Sequence, residues 1–545
     1  MDLSFKNAKQ TDLTIQLDQK PFKVTMYEAC YVTHPTCVSM ILDGNNPDQR
    51  VSIYIPENAA KSSPIIFFVK NHGWIMNAYV NRHKVEEAKD YSSTSQDDLI
   101  GKVLHEGYVL VTYGCRSRGD HPDKNGKYIS HSPATMTDTK AVIRYLRYNQ
   151  DLLPAGDTDK IIITGTSGGG ALSTIIGASG NSPDFYPSLY EIGAAGIEKQ
   201  ENKYISTIND DIYGVIAYCP INDLRKADAG YEYTYYSTRK RLIEEGLPVV
   251  DFKNNLTFQD PFNEEHTIDM MLEASNALKK DYEQYIDFLS LKDENNELIT
   301  SSTFKNQIRK VINQGIEKAY HEIGIEKMMD DLKGNALYSR RKTTEVFNST
   351  NPDWHDFFSY KEGIPYLKDE KALEDYLYFV ARNQTLKVAC AFSNKGLAKD
   401  GWASMSHFNE DSLYGSPDYP YSAYEFYSWD HNRIKGNGCG KNNTGLSFEE
   451  YLADHQELKD QLNMSSPIYY LTDRERKTPC SVAPYWYVRH GLRDRDTSFA
   501  VQSVLYYAIQ NNPSIKNANV ALAWMQPHAG DYDVQEAYKW LKEQL

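Results

Sequence analysis

Apolar and polar residues alternate along short stretches between residues 11 and 60, which is the pattern of half-buried β-strands. Runs of consecutive apolar residues, typical of strands that are buried on both faces, follow at residues 64–69, 108–113, 160–164 and 215–218. Helical patterns separate these runs, most clearly at residues 134–148. Because buried strands and helices alternate, we predict a parallel sheet with helices on both faces.

The pattern changes between about residues 222 and 480, where charged amphipathic helices and polar loops replace the apolar strands. Two helical stretches there cover residues 303–332 and 369–383, and a third begins at a capping box of Ser447 and Glu450. Strand and helix patterns then alternate again at residues 486–491, 497–510, 520–524 and 533–545.

This change of pattern predicts two domains. Residues 1–221 and 481–545 form an α/β core, and residues 222–480 form a mainly helical domain that is inserted into it. Because the insertion follows a strand of the sheet, we expect it to lie above the carboxyl edge, where ligands bind in open α/β folds. The inserted domain is therefore expected to form a lid over the binding site.

The segment that follows the apolar run at residues 160–164 predicts a catalytic serine. It has the sequence Gly-Thr-Ser-Gly-Gly at residues 165–169 and continues in small residues as far as Gly180. A strand, a sharp turn with a serine at its apex and a helix form a nucleophile elbow in this order. The hydroxyl of Ser167 would then project above the sheet, and the N–H of Gly168 would point towards the oxyanion. A structural turn in a Gly-rich loop is the alternative.

The composition of the 545 residues is that of a globular enzyme, with 41% hydrophobic and 24% charged residues. The net charge is -15 and no tract rich in lysine and arginine occurs, so a nucleic-acid partner is disfavoured. No run of about 18 apolar residues occurs, so a membrane-spanning helix is not expected. The 41 tyrosines are spread along the chain, and we expect some of them to line a cleft for a flat, hydroxylated ligand.

The seven cysteines are scattered and include no Cys-x-x-Cys pair. This spacing argues against a zinc site and a disulfide scaffold, and it fits a reducing compartment. Because the first residues also lack the apolar core of a signal peptide, we expect a cytoplasmic protein. A secreted form whose signal peptide has been removed is the alternative. The sequence points to no metal or organic cofactor, and it indicates no particular oligomeric state.

A serine nucleophile needs a base, and the base needs an acid that fixes its tautomer. His528 is the last of the 14 histidines and follows the last expected strand, which is the place of the base in the α/β-hydrolase chain order. Asp494 and Asp496 follow the preceding strand and compete for the role of the acid. Position favours Asp494, the first carboxylate after the strand, whereas Asp496 would otherwise cap the helix that is expected near residue 497.

The loop after the first buried strand should supply a second oxyanion donor. It has the sequence Lys-Asn-His-Gly-Trp at residues 70–74, in which Gly73 permits a close approach of the backbone. We predict the backbone N–H of Gly73 or Trp74 for this role. The arginines Arg116 and Arg118 are expected to brace loops rather than to bind substrate.

With these residues in place, the chain resembles the bacterial tannases, the tannin acyl hydrolases of the intracellular, α/β-hydrolase type. Six ordered blocks carry the resemblance, at residues 114–118, 141–146, 165–167, 217–221, 494–500 and 528–533. Such a set, spread over most of the chain, is far more specific than the elbow alone. The resemblance implies an α/β-hydrolase fold with a large inserted lid, hydrolysis of galloyl esters by an acyl-enzyme mechanism, and a triad of Ser167, His528 and Asp494.

The resemblance also implies a site for the galloyl group. Lys387, Glu410 and Asp496 match the residues that bind the phenolic hydroxyls in the family. Carboxylates suit phenol O–H donors, and an ammonium group stabilises phenolate character. The expected partner is thus a small aromatic ester. Taken alone, Lys387 and Glu410 would be interpreted as solvated charges of the inserted domain.

The chain departs from the family pattern around the expected pocket. Lys387 and Glu410 are further apart in sequence, with an apparent insertion at residues 393–408, and the segment 416–463 has little that matches. The loop at residues 70–74 has His-Gly-Trp where two glycines are more usual. These changes bear on the acyl group and the size of the alcohol that are accepted, more than on the reaction.

Three other functions compete with a galloyl esterase. A feruloyl or other aromatic-acid esterase on the same scaffold is the main alternative. A serine peptidase is disfavoured because the insertion shows no propeller-like repeat. A binding module without activity would lack a member of the triad, and the chain has all three.

Overall fold

The structure is a computed structural model. It describes residues 2–36, 49–74, 85–118, 122–246, 268–334, 357–383, 386–394, 397, 410–433, 435, 440–472, 474, 476 and 478–545. Cys37 and Cys439 lie outside the described residues, as does most of the apparent insertion at residues 393–408. The five cysteines that are described are free thiols.

A large mixed sheet forms the centre of the molecule, and short hairpins lie outside it. The strands are β1 (Lys9–Leu17), β2 (Lys20–Cys30), β3 (Arg50–Pro56), β4 (Ile65–Phe68), β5 (Asp90–Tyr91), β6 (Val109–Tyr113), β7 (Ile161–Thr166), β8 (Ile197–Gln200), β9 (Lys203–Ser206), β10 (Gly214–Tyr218), β11 (Ser359–Lys361), β12 (Ile364–Tyr366), β13 (Tyr485–Gly491) and β14 (Asn517–Ala523). The central sheet has the order β14-β13-β10-β7-β4-β6-β3-β2-β1-β5, and the pairs β8–β9 and β11–β12 form the hairpins.

Neighbouring strands pair in parallel in one half of the central sheet and mainly antiparallel in the other. From β6 to β14 along this order, neighbouring strands run parallel. Antiparallel pairs join β6 to β3, β3 to β2, and β2 to β1. The predicted parallel sheet is therefore confirmed where the continuous apolar runs occur, whereas the alternating patterns near the N-terminus belong to antiparallel strands.

The helices cover Leu99–His105, Ala134–Tyr148, Gly168–Ala178, Tyr186–Glu191, Ala227–Glu244, Ile268–Leu289, Phe304–Gly334, Glu370–Asn383, Phe426–Asp430, Lys441–Thr444, Phe448–Asp454, Gln456–Met464, Pro467–Leu471, Phe499–Asn511 and Val534–Gln544. The longest of them is interrupted at Gly324, where φ is +75°. In the part of the chain that the structure describes, no helix combines the length and the apolar character needed to cross a membrane.

Both faces of the inner strands β4, β6, β7 and β10 are buried, as the apolar runs predict. Along β4, Ile65 and Phe67 point into one apolar layer, while Ile66 and Phe68 point into the other. This division follows from the two-residue period of side chains in a strand. The helices Ala134–Tyr148 and Gly168–Ala178 cover the first layer, and Leu99–His105 and Val534–Gln544 cover the second.

Between β10 and β13 the described residues form helices and the small hairpin β11–β12. Their mainly helical character agrees with the sequence pattern. The hairpin escaped the sequence analysis because its three-residue strands are too short to show a period. Apolar side chains of this segment, such as Tyr282 and Ile312, belong to the same buried layer as Ile163 of the sheet.

Candidate active site

Ser167 lies at the sharp turn between β7 and the helix Gly168–Ala178, as the sequence predicts. Its backbone has φ +61° and ψ −121°, a strained conformation for a residue with a side chain that costs about 1–3 kcal/mol. Backbone hydrogen bonds to the segment that follows β10 hold it there: the Ser167 N–H donates to Tyr218 O at 2.9 Å, and Ser167 O accepts from the Ile221 N–H at 3.2 Å.

His528 lies in the loop after β14 and contacts both expected partners. Its Nε2 is 2.8 Å from Oγ of Ser167, and its Nδ1 is 2.8 Å from Oδ2 of Asp494. The side chain of His528 is 18% exposed, whereas that of Asp494 is fully buried. A hydroxyl, an imidazole and a carboxylate in this order can move a proton away from the hydroxyl.

The end of the loop that carries His528 is fixed by one carboxylate. Asp533 accepts hydrogen bonds from the hydroxyls of Tyr218 and Tyr487 at 2.7 and 2.6 Å, and from Nε of Arg489 at 3.0 Å. The three donors lie on β10 and β13, the two strands that flank the serine and aspartate loops. This contact ties the histidine loop to the sheet.

Asp494 lies within the loop that follows β13, and its carboxylate accepts several hydrogen bonds. Oδ1 accepts the backbone N–H of Asp496 at 2.7 Å and of Thr497 at 3.4 Å. Burial alone would raise the pKa of Asp494, but the neighbouring imidazoles of His528 and His490 outweigh it and lower that pKa. Burial alone would likewise lower the pKa of His528, and the Asp494 carboxylate raises it well above its usual value.

His490 is a neighbour of Asp494 that the sequence analysis missed. Its Nδ1 lies 3.3 Å from Oδ2 of Asp494, and its side chain is 2% exposed. Burial lowers the pKa of His490 to about 4, so the imidazole is neutral near pH 7. The available signal was its position at the end of the strand, four residues before the aspartate.

The loop at residues 70–74 packs directly on the serine turn. A Cβ built on Gly168 would stand 2.2 Å from Asn71 O, 2.6 Å from Trp74 N and 3.3 Å from Gly73 N, so only glycine fits. Gly168 is the first residue of its helix, and its N–H has no partner within the helix. The N–H of Trp74 donates to Asn71 O at 2.9 Å.

Arg116 and Arg118, which lie near this loop, make different side-chain contacts. Arg116 braces its surroundings as expected, since its side chain donates to both carboxylate oxygens of Asp138. The backbone N–H of Arg118 also braces the loop, by donating to Trp74 O at 3.2 Å. Its guanidinium group, however, lies 3.4 Å from Oε1 of Glu410, a contact that the sequence did not predict.

The structure brings Lys387 to Asp496. Nζ of Lys387 is 3.4 Å from Oδ1 of Asp496, and Nη1 of Arg495 is 3.0 Å from the same oxygen. The backbone N–H of Lys387 donates to the hydroxyl of Tyr231, and its carbonyl accepts from Arg239. The helix Ala227–Glu244, directly after β10, therefore positions this lysine.

Asp496 is not a helix cap. The helix begins at Phe499, and Ser498 caps it by accepting the N–H of Val501. The alternative role that the sequence allowed for Asp496 is therefore wrong, and its carboxylate faces Lys387 instead. Its side chain is 18% exposed, so it lines space that a ligand can reach.

Glu410 lies beside the loop at residues 70–74, next to Gly73 and Arg118. Its side chain is 12% exposed, and the paired Arg118 is 3% exposed. A Cβ on Gly73 would stand 3.3 Å from Nη2 of Arg118 and 4.0 Å from Oε1 of Glu410. The described contacts thus pair Glu410 with Arg118, and they join Lys387 to Asp496 rather than to Glu410.

A buried network joins the segments that carry Lys387 and Glu410. Asp228 accepts the N–H groups of Phe392 and Ser393 at 3.0 and 2.9 Å. The hydroxyl of Ser393 donates to Oδ1 of Asp411 at 2.7 Å. The sequence analysis missed Asp228 and Asp411, because isolated aspartates carry no pattern that reveals a buried partner.

Two groups of metal-capable side chains occur among the described residues, each with ligand atoms within 4.8 Å: Cys219, His490 and Asp494, and Asp494, Asp496 and His528. Both contain Asp494, whose oxygens accept from His528 and from the backbone. The thiol of Cys219 donates to Ala529 O at 3.0 Å. Each group thus includes ligand atoms that already take part in the hydrogen bonds around Asp494.

The sequence matches known esterases in its first half. Residues 51–256 match the BD-FAE family, an esterase family. The esterase LipC of Mycobacterium tuberculosis (strain ATCC 25618 / H37Rv) is 24% identical over 152 residues, which are 28% of this chain and 32% of LipC. That match therefore spans about a third of the length of LipC.

Solved bacterial tannases share the fold over nearly the whole chain. The tannase of Fusobacterium nucleatum has a TM-score of 0.69 at 25% identity, and the match covers 100% of this chain and 99% of that tannase. The tannin acyl hydrolase of Lactobacillus plantarum has a TM-score of 0.67 at 23% identity, covering 98% and 97%. A tannin acyl hydrolase in complex with ethyl gallate gives 0.67 at 24% identity, covering 98% and 97%.

These likenesses agree with the architecture described above. The esterase matches and the tannase structures together support a carboxylic ester hydrolase. The chain has the α/β-hydrolase fold, and it resembles the bacterial tannases along its whole length.

Proposed function

We propose that the protein is a serine carboxylesterase that hydrolyses galloyl esters, such as gallotannins, alkyl gallates and catechin gallates. The observation that carries this proposal is the continuous contact from Oγ of Ser167 through His528 to Asp494, with 2.8 Å at each step. The strained elbow supports it, because that conformation holds the hydroxyl at the turn.

In the first step, Ser167 attacks the ester carbonyl while His528 takes the proton from its hydroxyl. Asp494 keeps the Nδ1–H of His528 pointing towards itself, which leaves Nε2 free to act as the base. The carboxylate also stabilises the imidazolium that forms, in line with the raised pKa of His528. His528 then returns the proton to the leaving alcohol, and a galloyl–serine ester remains.

Water hydrolyses this acyl-enzyme by the same route in reverse. His528 takes a proton from the water, and the resulting tetrahedral intermediate collapses to release gallate and the Ser167 hydroxyl. In both steps the negatively charged oxygen of the tetrahedral intermediate needs hydrogen bonds from backbone N–H groups. We assign the N–H groups of Gly168 and Gly73 to this role. The N–H of Trp74 donates to Asn71 O. It stabilises the oxyanion only if this hydrogen bond breaks and the N–H donates to the oxyanion instead.

The acyl group occupies the space between the two charged pairs. Asp496 and Glu410 accept phenol O–H groups, and Lys387 stabilises phenolate character on the ring. A site built for these hydroxyls rejects analogues that lack them by up to ~10⁴-fold, since its polar groups would go unpaired. One similar tannin acyl hydrolase was solved with ethyl gallate and another with 3,4-dihydroxybenzoate, which supports a hydroxylated benzoyl group.

We also propose the division into a core of residues 1–221 and 481–545 and an inserted lid of residues 222–480. The strands of the central sheet all belong to the two core segments, and Lys387 and Glu410 belong to the insertion. The lid thus supplies Lys387 and Glu410 to the acyl group, while the core supplies the reacting groups and Asp496. The five described cysteines are free thiols, which supports a cytoplasmic location.

The main alternative is a feruloyl or other aromatic-acid esterase on the same scaffold. Comparing kcat/KM for methyl gallate and methyl ferulate separates the two, because ferulate lacks the three adjacent hydroxyls. We expect a strong preference for methyl gallate. A preference for the ferulate would overturn the galloyl assignment and leave the serine mechanism standing.

Replacing the nucleophile tests the mechanism itself. We expect Ser167→Ala to abolish hydrolysis of methyl gallate while thermal unfolding stays close to that of the wild type. The variant should still bind gallate, which can be measured by calorimetry. Turnover that persists in Ser167→Ala would end the triad proposal.

A further inference from the structure

A second histidine lies against the acid of the proposed triad. Nδ1 of His490 is 3.3 Å from Oδ2 of Asp494, the same oxygen that contacts Nδ1 of His528 at 2.8 Å. The other oxygen, Oδ1, is held by two backbone N–H groups. Without His490, His528 alone among the described residues would hold Oδ2, and the plane of the carboxylate would be fixed on one side.

The burial of His490 has no other explanation in the described part of the chain. Neither ring nitrogen has a hydrogen-bond partner of standard geometry, and the side chain is almost fully buried. A buried unpaired polar group is destabilising, and an apolar side chain would fill the same space without that penalty. The ring packs edge-on against Phe499, with centroids 5.4 Å apart and an interplanar angle of 89°. This contact limits how far the ring can rotate away from Asp494.

The charge state of His490 decides what it can offer Asp494. Burial lowers its pKa to about 4, although the Asp494 carboxylate acts in the opposite direction. A neutral imidazole carries a single N–H, and an adjacent carboxylate favours the tautomer that places it on the facing nitrogen. The facing nitrogen here is Nδ1.

We propose that His490 is a positioning residue, whose neutral imidazole presents a second N–H to Oδ2 of Asp494 and keeps this carboxylate in line with His528. The inference rests on the proposed function, because it requires Asp494 to act through His528 on Ser167. His490 itself touches neither the substrate nor the reacting serine.

Two substitutions of His490 separate this role from simple packing. His490→Leu fills the space without an N–H, and His490→Asn places a side-chain N–H at the position of Nδ1. We expect His490→Leu to lower kcat for methyl gallate about 10-fold with KM unchanged, which corresponds to one hydrogen bond to a charged group. The reaction of Ser167 with a fluorophosphonate probe should slow by the same factor, and His490→Asn should recover most of both rates.

The control lies on the same strand. Val488 is buried, lies two residues before His490 and has no N–H in its side chain, so Val488→Ala should lower the melting temperature without slowing the probe. Equal losses in His490→Leu and His490→Asn, or a wild-type rate in His490→Leu, would overturn the inference. Should His490→Leu fail to fold, His490→Phe replaces it, since it keeps a flat ring without nitrogen. Failure of the wild type to react at Ser167 is a different result, and it would refute the proposed function.

Discussion

Gly530, in the loop that carries His528, lies directly against Thr166, the residue before Ser167. A Cβ built on Gly530 would stand 1.9 Å from Oγ1 of Thr166, where no methyl group fits. The histidine loop and the serine turn therefore touch through a residue that has no side chain. We therefore expect this contact to determine how far the imidazole lies from the hydroxyl.

We expect Gly530→Ala to push the histidine loop away from the serine turn. A displacement of about 1 Å is enough to lower kcat ~10²-fold, and KM should change little because the residue does not line the acyl site. Steady-state kinetics with methyl gallate measure both constants. The double variant Thr166→Ala with Gly530→Ala removes Oγ1 and should recover part of the rate. A normal kcat in Gly530→Ala would show that the contact does not position His528.

Asp494→Asn should abolish most of the activity and shift its pH dependence. Asp494 raises the pKa of His528, so the wild-type imidazole stays protonated, and unable to act as base, up to a higher pH than a free histidine. We therefore expect kcat/KM of the wild type to rise with pH along a limb that lies above pH 6.5. In Asp494→Asn burial dominates, so this limb should move to lower pH while kcat falls ~10⁴-fold. A limb at unchanged pH would contradict the assigned pair.

Asp496→Asn should affect recognition rather than chemistry. The backbone N–H of Asp496, which donates to Asp494, is kept, whereas the carboxylate that faces Lys387 is lost. We expect KM for methyl gallate to rise at least ~10-fold, the loss of one charged hydrogen bond, and hydrolysis of methyl benzoate to change little. If kcat for both esters instead falls as in Asp494→Asn, the roles of the two aspartates are reversed.

Removing the partner of Glu410 should weaken galloyl binding from the other side of the site. Arg118→Met leaves the Glu410 carboxylate without the guanidinium group that lies 3.4 Å away. Because Arg118 then no longer holds the Glu410 carboxylate in place for the phenol hydroxyls, we expect KM for methyl gallate to rise ~10-fold. Arg118→Lys keeps the charge and should recover part of the affinity. Equal effects on methyl gallate and methyl benzoate would indicate a general disturbance of the loop instead.

Asp531→Asn should stabilise the protein at neutral pH. Burial raises the pKa of Asp531 from 3.8 to about 6, and its Oδ1 has no hydrogen-bond partner. The folded chain thus keeps a proton that the unfolded chain releases near pH 4, so this group lowers stability as pH rises from about 4 to about 6, and its effect is constant above. Asn cannot ionise and tolerates the φ of +54° at this position.

The gain in the free energy of unfolding should be up to about 3 kcal/mol above pH 6 and should vanish near pH 4. Thermal unfolding of the wild type and Asp531→Asn at pH 4 and pH 7.5 measures it. If the wild type and Asp531→Asn have the same melting temperature as each other at pH 4 and again at pH 7.5, Asp531 does not ionise in the way that its burial indicates.

The sequence could predict the elements that follow a simple rule. The strands β4, β6, β7 and β10 are short runs of apolar residues with both faces buried, and such runs stand out in any sequence. Ser167, Asp494 and His528 occur in the chain order of this fold, each directly after a strand. The structure brings their side chains together because parallel strands end at one edge of the sheet.

Other parts follow no such rule. The strands β8 and β9 are largely exposed and only four residues long each, so they escaped the sequence analysis. The pair of Arg118 and Glu410 joins residues almost 300 positions apart, and single charges of this kind are too common to reveal a partner. His490 stands at the end of a strand, four residues before Asp494, but this position alone does not show that the two side chains lie 3.3 Å apart.

One short loop carries both Asp494 and Asp496, and this limits how the protein can evolve. After a gene duplication, a copy that evolves towards a different acyl group cannot alter this loop freely, since the same backbone holds the carboxylate that contacts His528. Lys387 and Glu410 lie on separate segments far from it in the chain and are under no such restriction. Descendants with new preferences should therefore have diverged first within residues 222–480, with the loop at 494–496 inherited unchanged.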